Sequence, residues 1–204
     1  MQRIVAGRLR GRKLRALPAG VEVRPTGSRV REAIFSRLFA DVAGARVLDV
    51  FAGSGALAFE ALSRGASRVV AIDRDARVIR HLEAQAADFG VTGAIELLRG
   101  DATSILGRGP GERPPFNLVF VDPPYVEVAL VAEVLGALVS RGWLAADADV
   151  IVERARIRGH AAPLDLPAGL RVDATRTYGQ TAVEFLRGPA PHALQPADDH
   201  PSDL

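Results

Sequence analysis

The chain has no cysteine. Disulfides, thiolate metal sites and any Cys nucleophile are therefore excluded. Lysine is almost absent: of 26 basic residues only Lys13 is not arginine. Arginine suits bidentate phosphate contacts, but the bias runs through the whole chain and reflects codon composition more than a binding role. Long apolar runs are missing too. Within the apolar part, the longest stretch free of Asp, Glu, Lys and Arg is Val50 to Phe59, ten residues, where a membrane-spanning helix needs about 20. Met1-Gln2-Arg3-Ile4-Val5 contains no apolar h-region and does not read as a signal peptide, so a cytoplasmic location is the default expectation. The four histidines (81, 160, 192, 200) are scattered, and no metal cluster is expected.

What remains is 204 residues, 48% apolar and 25% charged, enough for one domain of ordinary size with a small appendage. The net charge of +2 hides an asymmetry. Residues 1–39 hold ten basic groups against two acids, and the rest of the chain holds sixteen against twenty-two. A basic arm on a mildly acidic body points to a polyanionic partner, although a solvated charged face would look the same.

Arg3–Ala6 and Arg12–Leu14 read as short strands around a turn at Gly11. Ser28 reads as the N-cap of a helix over 29–39, with Val30, Ile34, Phe35 and Leu38 on one face and Arg29, Arg31 and Glu32 off it. From residue 46 strands and helices alternate. Strands are expected at 46–51, 67–72, 94–98, 116–121 and 149–153, helices at 55–64, 75–88 and 127–140, and a closing hairpin at 170–175 and 181–186. Nearly all-apolar strands alternating with helices imply a parallel sheet covered on both faces, an α/β fold, with ligands at the carboxyl ends of the strands. Residues 188–204, with four prolines and no apolar periodicity, read as a disordered tail.

The strand ends carry the chemistry. After the first comes Asp49-Val50-Phe51-Ala52-Gly53-Ser54-Gly55, whose glycines allow a sharp turn and close ligand approach. The second ends at Asp73, where an acid can accept both hydroxyls of a ribose. The third is followed by Gly100-Asp101-Ala102, suited to an adenine amino group and ring. A dinucleotide and S-adenosylmethionine both fit such loops. The fourth strand runs into Asp122-Pro123-Pro124-Tyr125. Two prolines fix φ and remove two donors, leaving the carbonyls of Asp122 and Pro123 free. A carboxylate, a rigid carbonyl and an aromatic face suit a flat base with an exocyclic NH2, and so favour S-adenosylmethionine as the second ligand. Rate would come from positioning the nitrogen for in-line attack, with no strong base required.

This signature resembles that of the amino-methyltransferases. To about residue 187 the chain resembles one family closely, the bacterial 16S rRNA guanine-966-N2 methyltransferases (the RsmD family). The resemblance rests on Arg3-Ile4-Val5-Ala6-Gly7 with Arg10-Gly11-Arg12, on Arg24-Pro25-Thr26 with Arg29-Val30-Arg31-Glu32-Ala33-Ile34-Phe35, on the loop from Asp49 to Leu57, and on Asp122-Pro123-Pro124-Tyr125. It implies a class I S-adenosylmethionine-dependent methyltransferase, Rossmann-like, with a mostly parallel seven-stranded sheet, a closing antiparallel hairpin and a short N-terminal β-hairpin extension. The division it implies is a basic RNA-binding arm at 1–27, a methyltransferase domain at 28–187 and a tail at 188–204. Asp49, Phe51, Ala52, Gly53, Ser54 and Gly55 would line the methionine end of the cofactor. Asp73 would hold the ribose, Asp101 with Ala102 the adenine, Arg74 would also belong to the cofactor site, and Arg24, Pro25 and Thr26 would close it. Asp122, Pro123, Pro124 and Tyr125 would present the amine. Arg3, Arg8, Arg10, Arg12, Lys13, Arg29 and Arg31 would contact RNA, and the partner would be 16S rRNA in the 30S subunit or its precursor, with no membrane and no metal involved.

The residues alone do not separate guanine N2 from adenine N6. DNA adenine-N6 or cytosine-N4 methylation is the alternative chemistry, opposed by the lack of a separate target-recognition domain. A protein-glutamine methyltransferase would favour Asn at position 122. A non-catalytic RNA-binding assembly factor would not need Asp49, Asp73 and Asp122, and a nicotinamide dehydrogenase would leave the 122–125 loop without a role.

Overall fold

The computed structural model describes residues 2–21, 27–123, 128–156 and 163–190. Helix α1 (Ser28–Arg37) precedes strand β1 (Arg46–Asp49) and helix α2 (Ala56–Ser63). Strand β2 (Arg68–Asp73), helix α3 (Ala76–Phe89), strand β3 (Ile95–Arg99) and helix α4 (Ala102–Gly107) follow. Strand β4 (Phe116–Val121), helix α5 (Val128–Ser140) and strands β5 (Leu144–Ala155), β6 (Arg171–Tyr178) and β7 (Thr181–Arg187) complete the chain. One seven-stranded sheet has the order β3-β2-β1-β4-β5-β7-β6. The first five strands run parallel, and β7 lies antiparallel to both its neighbours. Strand order reverses between β1 and β4, so a crevice opens at their carboxyl ends. Among the described residues no helix is long and apolar enough to cross a membrane.

The central strands are apolar because both faces are covered. On one face α1, α2 and α3 pack Phe35 against Phe120 (ring centroids 5.6 Å apart) and Phe59 edge-on to Phe89 (5.4 Å). On the other, α4 and α5 cover Val119, Val121 and Val150. The single tryptophan, Trp143, is fully buried there, stacked on Phe116, and its Nε1 donates to the Leu106 carbonyl at 2.9 Å.

Every residue of α2 is buried, Glu60 included. The reason is the N-terminal arm, which lies over the helix rather than projecting from the body. Ile4, Leu9 and Leu14 join the same core as α1–α3. The two short strands expected in the arm reduce to a single antiparallel bridge, Arg3 to Lys13, because side chains and carbonyls of α2 take several of the arm's amides instead.

Other departures have local causes. Gly27, not Ser28, occupies the N-cap of α1, and no side chain caps it. Helix α4 was not expected, since its six residues (ATSILG) are too few for periodicity to show. Strand β5 starts five residues earlier than expected, through Asp147 at φ 50° and a register shift against β4. Gly188 and Pro189, assigned by composition to the tail, are buried and bonded: Gly188 donates to Ala148 (2.7 Å), and Asp147 donates to Pro189 (2.9 Å). Residues 191–204 lie outside the described residues.

The largest correction concerns Arg31. Its polarity placed it off the apolar stripe and the family resemblance placed it on RNA, yet its exposure is 0%. It sits 3.6 Å from Glu60, itself fully buried, and donates to the Arg3 carbonyl at 2.6 Å. Burial lowers its pKa and the Glu60 carboxylate offsets that. Removing one member of a buried charge pair leaves the other uncompensated. Arg31→Ala is therefore expected to cost about 3–5 kcal/mol in urea unfolding, whereas Arg29→Ala, on the exposed side of the same helix, is expected to stay within about 0.5 kcal/mol.

Candidate active site

The site is built at the carboxyl edge of the parallel strands. Beyond β1 the backbone continues the sheet for a few residues: Val50 donates to Phe120 (3.0 Å) and Ala52 to Ile72 (2.9 Å). The chain then turns back through Gly53 and Gly55, with Gly55 donating to Ala52 (2.7 Å). Gly55 is required twice over. Its φ is +73°, and a Cβ there would stand 2.6 Å from both Leu82 and the Phe59 ring. It is also the N-cap of α2, so the free amides of that helix open beside the loop.

Asp73, at the end of β2, holds this loop in place. One carboxylate oxygen accepts from the Gly53 amide (3.0 Å) and the other from the Asp75 amide (2.9 Å). The side chain remains half-buried, with lone pairs left for a ligand. Arg74 is exposed next to it. Asp75 caps α3, and the Arg77 side chain and amide hold its carboxyl down at about 2.

Asp101, beyond β3, proves to be the N-cap of α4. Its Oδ1 accepts from Ser104 N and Thr103 Oγ1, both at 2.9 Å, which lowers its pKa. Both of these bonds go to Oδ1, and Ala102 is buried behind it. Beyond β4, Asp122 and Pro123 are half-buried. Pro124 and Tyr125 lie outside the described residues, as do Arg24, Pro25 and Thr26.

Asp49 is the unusual member. It ends the central strand β1, is 1% exposed, and neither carboxylate oxygen has a hydrogen-bond partner. Burial pushes its pKa up to about 7. The charges of Asp122 and Asp73 add to this, and the nearby Ala58 amide opposes it without closing a bond. Buried polar atoms are ordinarily paired, so two orphaned oxygens facing two further carboxylates mark a place for a cationic ligand. Phe51 is half-exposed and Ala52 and Gly53 are buried beside it. Ser54 donates from its Oγ to Gln2 Oε1 at 3.0 Å. This contact between the loop and the arm escaped sequence reasoning, because nothing in either segment signals the other.

A carboxyl with a raised folded-state pKa keeps a proton that the unfolded chain has lost. The ligand-free fold should therefore lose stability as pH rises from about 4 toward the raised value. Asp149, pushed up to about 6 chiefly by burial, with Arg187 opposing and Asp41 and Asp173 adding, acts over the lower part of this window, and Asp49 extends it to about 7. Asp49→Asn is expected to abolish the decline between about pH 6 and 7, read from thermal melts in half-unit steps. An unchanged slope would remove Asp49 as its source.

Comparisons with known proteins agree with this architecture. Ribosomal RNA small subunit methyltransferase D of Escherichia coli (strain K12) is 37% identical over 185 residues, covering 91% of this chain and 89% of that protein. YlbH of Bacillus subtilis is 34% identical over 188 residues, 91% and 98% of the respective chains. The solved structure of the yhhF protein of Escherichia coli is 34% identical with a TM-score of 0.78, covering 92% of this chain and 98% of that one. Residues 2–187 match the family model described as conserved hypothetical protein 95. The chain belongs to that family, the RsmD methyltransferases that its motifs resemble.

Proposed function

We propose that the chain transfers a methyl group from S-adenosylmethionine to the exocyclic N2 amine of a guanine in 16S rRNA, held in the small ribosomal subunit or its precursor. Its family makes it an rRNA methyltransferase that uses S-adenosylmethionine; the base, the atom and the particle are our reading. The observation that carries this reading is the buried Asp49, without a partner, beside a strand that ends in Asp122-Pro123. When bound, S-adenosylmethionine supplies an electrophilic methyl group on a sulfonium centre. Asp49 suits its ammonium group, since a fixed carboxylate in a dry site binds a cation far better than it would in water. Asp73 retains acceptor capacity for ribose hydroxyls beyond its two backbone bonds. Asp101 Oδ2 and the Ala102 amide suit the adenine edge.

The Asp122 carboxylate and the Pro123 carbonyl accept the two N–H bonds of the incoming amine and hold its lone pair toward the cofactor. Fixing both reactants in one geometry supplies most of the rate expected of such a site. The nitrogen becomes acidic only after transfer, so the residues need only pass on a proton. The guanine must leave its stack to enter the site. The exposed Arg8, Arg10, Lys13 and Arg29 hold the surrounding phosphates, with Arg3, which also donates to the Gly11 carbonyl, beside them. Arg12 is committed elsewhere, donating to the Asp88 carbonyl and lying over the Phe89 ring, and Arg31 is buried.

Asp122→Ala is expected to lower methyl transfer to undermodified 30S particles by about a thousandfold or more while cofactor affinity, read by calorimetry, changes little. Nucleoside mapping of the tritiated product should give N2-methylguanosine. Label in duplex DNA instead would favour the adenine or cytosine reading, and unchanged turnover would remove Asp122 from its role. Arg8→Ala with Arg10→Ala should weaken binding to rRNA fragments and reduce the slope of log affinity against log salt by about 1.5.

A further inference from the structure

Glu60 is a fully buried charged side chain that the proposed reaction does not use. It lies in the middle of α2, among seven residues that are all buried and otherwise almost wholly apolar, with an exposure of 0%. A buried ionic group can usually be replaced by apolar residues of similar volume at little or no loss of stability. The pair as a whole therefore contributes geometry more than stability, although removing one member alone is costly, and the bonds of the carboxylate indicate which geometry. Oε2 accepts from the Val5 amide (2.8 Å) and Oε1 from the Ala6 amide (3.0 Å). Arg64 donates to Oε1 at 2.8 Å, and Arg31, 3.6 Å away on the other side, donates in turn to the Arg3 carbonyl.

One turn later on α2, Ser63 continues the grip. Its Oγ accepts from Leu9 (2.9 Å) and donates to the Ala6 carbonyl, and its own carbonyl accepts from Arg8 (2.8 Å). Gly7, at φ +79°, passes so close that a Cβ would stand 1.9 Å from the Ser63 carbonyl oxygen. Residues 3–9 are thus laid on α2 as a strap whose amides point inward. Arg8 and Arg10 stand exposed, with no ion pair among the described residues. At its start the strap meets the glycine loop through Gln2 and Ser54.

We infer that Glu60 is a positioning residue: it registers the basic strap against the helix that begins at the cofactor loop, so that Arg8 and Arg10 meet rRNA phosphates at a fixed offset from the site. This inference rests on the proposed rRNA substrate. Glu60→Gln tests it. The amide keeps one acceptor and turns an NH2 toward groups that are themselves donors, so the strap loses its anchor while the helix keeps its shape. The expected result is a KM for undermodified 30S particles raised about tenfold, with kcat and cofactor affinity within about twofold, and faster hydrogen exchange at the Val5 and Ala6 amides. Ser63→Ala, which leaves the charges untouched, should move KM in the same direction by about threefold and keeps the test available if Glu60→Gln fails to fold. A KM unchanged in a folded variant, unaltered exchange at Val5 and Ala6, or an equal collapse of cofactor affinity would each overturn the inference. Wild-type protein that transfers no methyl group to 30S particles would instead overturn the substrate reading, and the exchange measurement would still decide whether Glu60 holds the strap.

Discussion

Burying a carboxylate without giving it a partner is the constraint around which the upper edge of the sheet is arranged. Asp49 ends the strand flanked by β2 and β4, each of which brings an acid of its own, Asp73 or Asp122, to the same edge. An isolated charge there is costly, and burial, reinforced by the two neighbouring acids, raises the Asp49 pKa to about 7. The apolar packing of α1–α3 on one face and α4–α5 on the other makes that arrangement tolerable. Asp122 and Asp73, which add to burial in raising that pKa, make a setting that would favour a positively charged ligand. A large share of ligand selectivity then follows from sign alone, before any shape is considered.

Glu60 is the opposite solution to the same problem. It is buried at least as deeply, yet two amides and two guanidinium groups surround it. The contrast separates two uses of buried charge in one domain. A carboxylate with its partners present organises the chain, whereas Asp49 is buried with neither oxygen hydrogen-bonded. Both sit within a short distance along the chain, one before the glycine loop and one inside the helix that follows it. Loop geometry therefore connects them: Gly53 is fixed by Asp73, Gly55 starts α2, and α2 carries Glu60 to the arm.

The sheet was legible because strands covered on both faces read as apolar runs, and the acids were legible because each stands where such a run stops. Asp49, Asp73 and Asp122 needed no knowledge of the third dimension. Arg31 did. Its neighbours on α1 describe an amphipathic helix with polar residues outward, and only a buried acid much further along the chain reverses that for this one position. Glu60 left a faint trace, a lone charge in an otherwise apolar helix, which is a pattern that marks a buried pair. Asp101 stands just beyond a strand, where the sequence places it, and caps a helix too short to announce itself. The arm's basic character was plain. That the arm, bonded across itself between Ile4 and Arg12 and between Leu14 and Gln2, also gives amides to α2 depends on contacts between distant segments that no local pattern encodes.

Trp143 has a practical consequence. The chain's only indole is sealed between Phe116 and the Leu106 carbonyl, at the end of the sheet opposite the site and on the face away from the arm. Its fluorescence will follow disassembly of the α4–α5 layer and stay silent while the arm lifts. A spectroscopist who relies on intrinsic emission would score a protein with a detached N-terminus as native, and would need a dye or an isotope label on residues 2–15 to see otherwise.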